Sequence, residues 1–92
     1  MIQLILTSPF QSRELEQALA YRQPEDVLVL MQDAVVAATA PLWRERLTGV
    51  PLYVMREDLQ ARGLQSRIGM DLEMADLVAL IAEKGSPQTW GG

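Results

Sequence analysis

The stretch DVLVLMQDAVVAAT, Asp26–Thr39, decides the fold. Val27–Met31 is an unbroken apolar run with no polar alternation, the pattern of a strand covered on both faces in a parallel sheet. Gln32 and Asp33 end the run, and Asp33 is well placed to cap a helix beginning at Ala34. No charged residue occurs between Ala34 and Trp43. A helix built from that segment is too apolar to leave one side in water, so the sheet and its neighbours, or another protein chain, must cover it.

Upstream, Ile2–Leu6 reads as a first strand, stopped at Thr7-Ser8-Pro9. Ser8 can cap a helix with Pro9 at its first position, and Ser12 offers a later start. Leu15, Ala18 and Leu19 form the inward stripe of that helix. Downstream, the helix from Ala34 is expected to reach Ala40, where Pro41 forces a kink or restart and Leu42, Trp43 and Leu47 continue the apolar face. Gly49 is the expected C-terminal cap. Leu52–Met55 is a third strand ended by Arg56-Glu57-Asp58, with Asp58 capping a short helix, Leu59–Arg62, that Gly63 halts. An edge strand is expected around Arg67–Gly69, then a helix capped by Asp71 and ended by Gly85. The tail SPQTWGG can lie extended, tucking Trp90 against the body. Strands alternating with helices predict one α/β domain over residues 1–92, a three-layer sandwich around a small, mainly parallel sheet.

Composition narrows the chemistry. A chain of 92 residues buries roughly 60–65% of its unfolded surface, so an apolar content of 49% is generous and points to association. Cysteine is absent, which excludes disulfides, thiolate metal sites and a cysteine nucleophile. Histidine is absent too, removing the usual base near neutral pH and the commonest metal ligand. A net charge of −4 disfavours direct nucleic-acid binding. No apolar run approaches the roughly 20 residues of a membrane span, and the start lacks the basic residues of a secretory signal, so a cytoplasmic protein is expected. No motif calls for a cofactor.

In an open parallel sheet, ligands gather at the carboxyl ends of the strands. That edge should carry Thr7, Ser8, Gln32, Asp33, Arg56, Glu57 and Asp58, as a polar pocket or as helix caps and strand stops. Glu57-Asp58 is a carboxylate pair by composition, but adjacent side chains usually point apart. The helices 34–47 and 71–84 are both more apolar than one sheet face requires, which makes Val36, Trp43 and Leu47, with Trp90, candidates for a partner interface.

Several segments together resemble the TusB/DsrH family of sulfur-relay proteins. They are Ser8-Pro9 after the first strand, VLMQDAV at Val29–Val35, EDLQARGL at Glu57–Leu64, DLVAL at Asp76–Leu80 and SPQTW at Ser86–Trp90. The resemblance covers nearly the whole chain. It implies a DsrE-like fold and the place of a small subunit in a heterohexamer with TusC/DsrF-like and TusD/DsrE-like chains. In such assemblies a cysteine of the TusD/DsrE-like chain carries a persulfide. Sulfur then passes to a TusE-like carrier, toward 2-thiolation of the wobble uridine of certain tRNAs or, in Dsr systems, within sulfur oxidation. Some DsrH-type members carry a cysteine; this chain has none, which places it nearer the TusB type. Gln32, Asp33, Glu57, Asp58, Arg62, Gly63 and Trp90 match the family pattern, with no chemical role implied for any of them. The expectation is a non-catalytic subunit without metal or cofactor. Its rivals are a stand-alone homo-oligomer binding a small ligand at the strand carboxyl edge, and an enzyme using Asp33 or Glu57 with a metal.

Overall fold

A computed structural model describes residues 1–91. The expected extended tail is described as far as Gly91; its last residue, Gly92, lies outside the described residues. Five parallel strands, β1 (Ile2–Ile5), β2 (Val27–Leu30), β3 (Leu52–Met55), β4 (Met70–Leu72) and β5 (Gln88–Trp90), form one sheet in the order β4-β3-β2-β1-β5. The apolar run of β2 sits at the centre, buried at every position, as a strand covered on both faces must be.

Alternation along the strands divides the core in two. Ile5, Leu28, Leu30, Leu52 and Val54 face α1 (Glu14–Tyr21), a 3₁₀ helix (Gln32–Ala38), α2 (Pro41–Arg46) and α3 (Arg56–Ala61). Ile2, Val29, Met55 and Leu72 face α4 (Met74–Lys84) alone. The result is the expected three-layer α/β sandwich, with one outer layer much thinner than the other.

The segment after β2 departs from expectation. Gln32–Ala38 winds as a 3₁₀ helix, and Asp33 makes no capping bond to it. Pro41 explains the tight winding: it holds Ala40 extended (φ −85°, ψ 127°), so the segment must close by Thr39 and fit between strand and proline. Small residues make that winding compatible with dense packing, and Ala34, Val35, Ala37 and Ala38 are fully buried. Pro41 then opens α2 at a position where its missing N–H costs nothing. Other boundaries shift as well. Of the two possible starts for α1 the later is used, since Ser12 Oγ accepts the Glu14 N–H at 3.3 Å while Ser8 Oγ accepts only the Phe10 N–H within a turn. α3 begins directly at Arg56, so Glu57 and Asp58 lie inside its first turn, where carboxylates oppose the helix dipole. The edge strand is Met70–Leu72 rather than a strand around Arg67–Gly69, which makes Asp71 a strand residue. The cap of α4 is instead Glu73, in a reciprocal capping box with Asp76.

The tail forms β5 beside β1, and a buried polar chain ties it down. Trp90 Nε1–H donates to Gln3 Oε1 (2.8 Å), and Gln3 Nε2 donates to Asp26 Oδ2 (3.1 Å). Asp26, 4% exposed, also takes the Gln23 N–H (2.9 Å) and the Met1 ammonium (3.1 Å). The Gln23 N–H first, then the ammonium and the Gln3 amide, hold its carboxyl below the ordinary 3.8 against the opposing effect of burial. A carboxylate lowered on folding stabilises above its unfolded value, and that stability is lost as pH falls through the lowered folded value. Asp26→Asn is therefore expected to cost about 1–3 kcal/mol near neutral pH. It should also flatten the acid limb of stability below about pH 4, checked by urea unfolding across that range.

Candidate functional site

The carboxyl edge of the sheet gathers most of the polar residues singled out in the sequence; Gln32, Asp33, Asp58 and Arg62 engage one another, while Thr7 and Arg56 pair with other neighbours and Glu57 stands exposed. Gln32 follows β2 with φ +50°, a left-handed conformation that costs a non-glycine residue about 1 kcal/mol. Its N–H donates to Asp58 Oδ2 at 2.9 Å, so the Asp58 carboxylate caps the 3₁₀ helix from the neighbouring α3 rather than capping its own helix. Arg62, one turn further along α3, donates to Asp33 Oδ1 (2.8 Å) and to the Asp58 carbonyl (3.1 Å), and lies 3.8 Å from Asp58 Oδ1. Gly63 takes φ +65° and turns the chain out of α3.

This Asp33–Arg62–Asp58 cluster joins the 3₁₀ helix to α3. Its ion pairs are partly exposed and contribute at most about 1 kcal/mol each. The orphan-donor bond is the stronger element. Asp58→Ala is expected to lower stability by about 1–2 kcal/mol, and Asp58→Asn by clearly less because an acceptor remains. Equal thermal midpoints for wild type and Asp58→Ala would show that the Gln32 N–H finds water equally well.

Beside it, Arg56 pairs with Glu73 (2.9 Å) and Asp71 (3.8 Å), lining an open recess of about 600 Å³ with Leu59, Gln60, Leu64 and Ser66. Glu57 is exposed at the rim of a smaller recess with Gln60 and Met74. At the end of β1, Thr7 Oγ1 lies 2.7 Å from Ser12 Oγ and 3.1 Å from Glu14 Oε1. Gly91 closes over this group: a Cβ there would meet Thr7 Cγ2 at 2.7 Å. The edge is thus a set of shallow, open hollows between paired side chains. Among the described residues no group of three or more histidine, cysteine or carboxylate side chains is arranged to hold a metal. No helix among them is long and apolar enough to cross a membrane.

The interface candidates separate. Trp43, 5% exposed, and Leu47 belong to the chain's own core, with the Arg46 guanidinium 4.3 Å over the Trp43 ring. Their apolarity is satisfied by the chain's own core, so, contrary to the expectation from the sequence, these two side chains are not free for a partner to grip. Val36 and Trp90 remain partly exposed. Sequence reasoning missed the Asp33–Arg62–Asp58 cluster and the Gln3–Asp26–Trp90 chain. For the second a signal existed, since Gln3 interrupts an otherwise apolar strand.

Comparisons with known proteins agree with this architecture. The family described as "DsrH like protein" matches residues 7–86. The chain is 32% identical to "Protein TusB" of Pectobacterium parmentieri, over 98% of this chain and 100% of that protein. It is 39% identical to "Protein TusB" of Erwinia tasmaniensis over 74% of both chains. The ychN protein of E. coli has the same fold, with a TM-score of 0.68, 23% identity and 97% of each chain covered.

Proposed function

Since the chain belongs to the family of DsrH-like proteins, we propose that it is a structural subunit of a sulfur-relay complex of the TusB kind. In this reading it assembles with TusC/DsrF-like and TusD/DsrE-like chains into a heterohexamer. The TusD/DsrE-like partner bears the persulfide and hands sulfur to a TusE-like carrier, toward 2-thiolation of the tRNA wobble uridine.

The single observation that carries the non-catalytic part is the lack of any cysteine in 92 residues. A persulfide needs a thiol sulfur to hold it, and this chain has none to offer. Two features of the structure support the same reading. At the strand carboxyl edge Asp33, Arg56, Asp58 and Arg62 are bonded across element ends, an arrangement that fixes the scaffold. One sheet face is covered by a single helix that leaves apolar side chains in solvent, as expected of a chain that completes its cover on assembly.

Co-expression with TusC/DsrF-like and TusD/DsrE-like chains, followed by sizing, tests the reading. A stable complex containing all three chains is expected. A TusC–TusD-type assembly that forms and transfers sulfur equally well while this chain elutes alone would overturn it.

A further inference from the structure

Helix α4 has two apolar faces where the fold uses one. Leu77 is buried, and Leu80 and Ile81 are partly buried against the sheet. On its other side Met74, Ala75, Val78, Ala79 and Ala82 are all exposed, Met74 by 49% and Val78 by 60%. At about 100° per residue these five positions form a continuous arc of roughly 140°. Nothing charged interrupts that arc. Glu83 and Asp76, seven residues apart, run along one border, and Glu73 stands at the start of the helix. On the sheet face that α4 covers, Met70 is 66% exposed, and Leu4, Met31 and Tyr53 are only partly covered.

A solvent-facing helix surface ordinarily carries lysine, glutamate or glutamine; alanine at spacings of three and four instead lets another helix approach closely. An 11-residue helix is about 16 Å long, so its stripe supplies only part of the roughly 800 Å² that a stable interface takes from each side. The exposed and half-covered residues of the sheet face extend it. The rim decides what fits. Glu73 is already paired with Arg56, but Asp76 and Glu83 along the border make no ion pair among the described residues, so a second copy of this chain would bring acidic borders together.

We propose that the Met74–Ala82 stripe of α4 is the docking surface for a different subunit, one that presents an apolar helix flanked by basic side chains. This rests on the complex proposed above and places the contact on α4 rather than on the core residues Trp43 and Leu47.

Val78→Glu and Ala79→Arg test it, since both positions are exposed and both variants should melt like wild type when alone. Each is expected to weaken association with the co-expressed TusC/DsrF-like and TusD/DsrE-like chains at least about tenfold, and Glu83→Lys to weaken it several-fold. Because the chain has no cysteine, Ala79→Cys adds a unique thiol, whose maleimide labelling should be fast in the isolated protein and suppressed in the complex. Wild-type assembly with unchanged binding by both α4 variants would overturn the surface while sparing the complex. Failure of the wild type itself to assemble would remove the complex and this contact together. Stronger binding by Glu83→Lys would contradict the basic-rimmed partner. Self-association of the wild type that Val78→Glu abolishes would show the occupant to be a second copy.

Discussion

Trp43→Ala is expected to destabilise the isolated chain by about 3–5 kcal/mol, the usual cost of removing a buried large aromatic. The ring is almost wholly enclosed, in the core cluster that also holds Leu47, Ala38 and Leu52. The adjacent 3₁₀ helix buries only alanine and valine, which are too short to refill so large a space, and the Arg46 guanidinium over the ring would have to give up its solvation to do so. A domain of 92 residues commonly has only about 5–14 kcal/mol in total, so the thermal midpoint should fall by on the order of 20 °C. The contrast with an interface residue is direct. If Trp43 served mainly to contact a partner, the isolated variant would melt like wild type and only assembly would suffer. Calorimetry on the isolated protein separates the two.

Truncation after Lys84 is the second large effect, about 2–4 kcal/mol. It removes β5, and with it the parallel pairing along β1 and the Trp90 carbonyl that accepts the Leu6 N–H at 3.0 Å. It also withdraws the indole packed against the main core and leaves Gln3 Oε1, in a buried residue, without its donor. Trp90→Phe isolates one part of this: it keeps most of the area, loses the N–H, and should cost about 1 kcal/mol. An unchanged midpoint for the truncated chain would mean that β5 contributes nothing to the folded state in solution.

Much of the architecture was legible because apolar runs mark buried parallel strands strongly. Val27–Met31 and Leu52–Met55 admit little else, and Gly63 and Gly85 stop helices where their positive φ requires. Element ends were less legible, since capping depends on which neighbour arrives. Asp33 has the right residue type for an N-cap, yet the fold brings Arg62 to it from 29 positions away, and Asp58 supplies the cap instead. The 3₁₀ winding of Gln32–Ala38 follows from Pro41 and a crowded site, neither of which alters apolar periodicity enough to show. Surplus apolarity in the 34–47 segment suggested an interface. Most of it proved to fill the chain's own core, through Ala34, Val35, Ala37, Ala38, Trp43 and Leu47 with Leu42 left in solvent, whereas in the 71–84 segment much of the surplus is exposed. Counting apolar residues cannot separate these cases; only the number of layers above each sheet face can.

The proposed role turns on whether this chain handles sulfur itself. Purified alone and given a persulfide donor with a thiol acceptor, it is predicted to leave the rate of sulfur transfer at the donor–acceptor background and to retain no label from ³⁵S-labelled donor. Transfer above that background, or labelled sulfur bound to the isolated chain, would contradict the account.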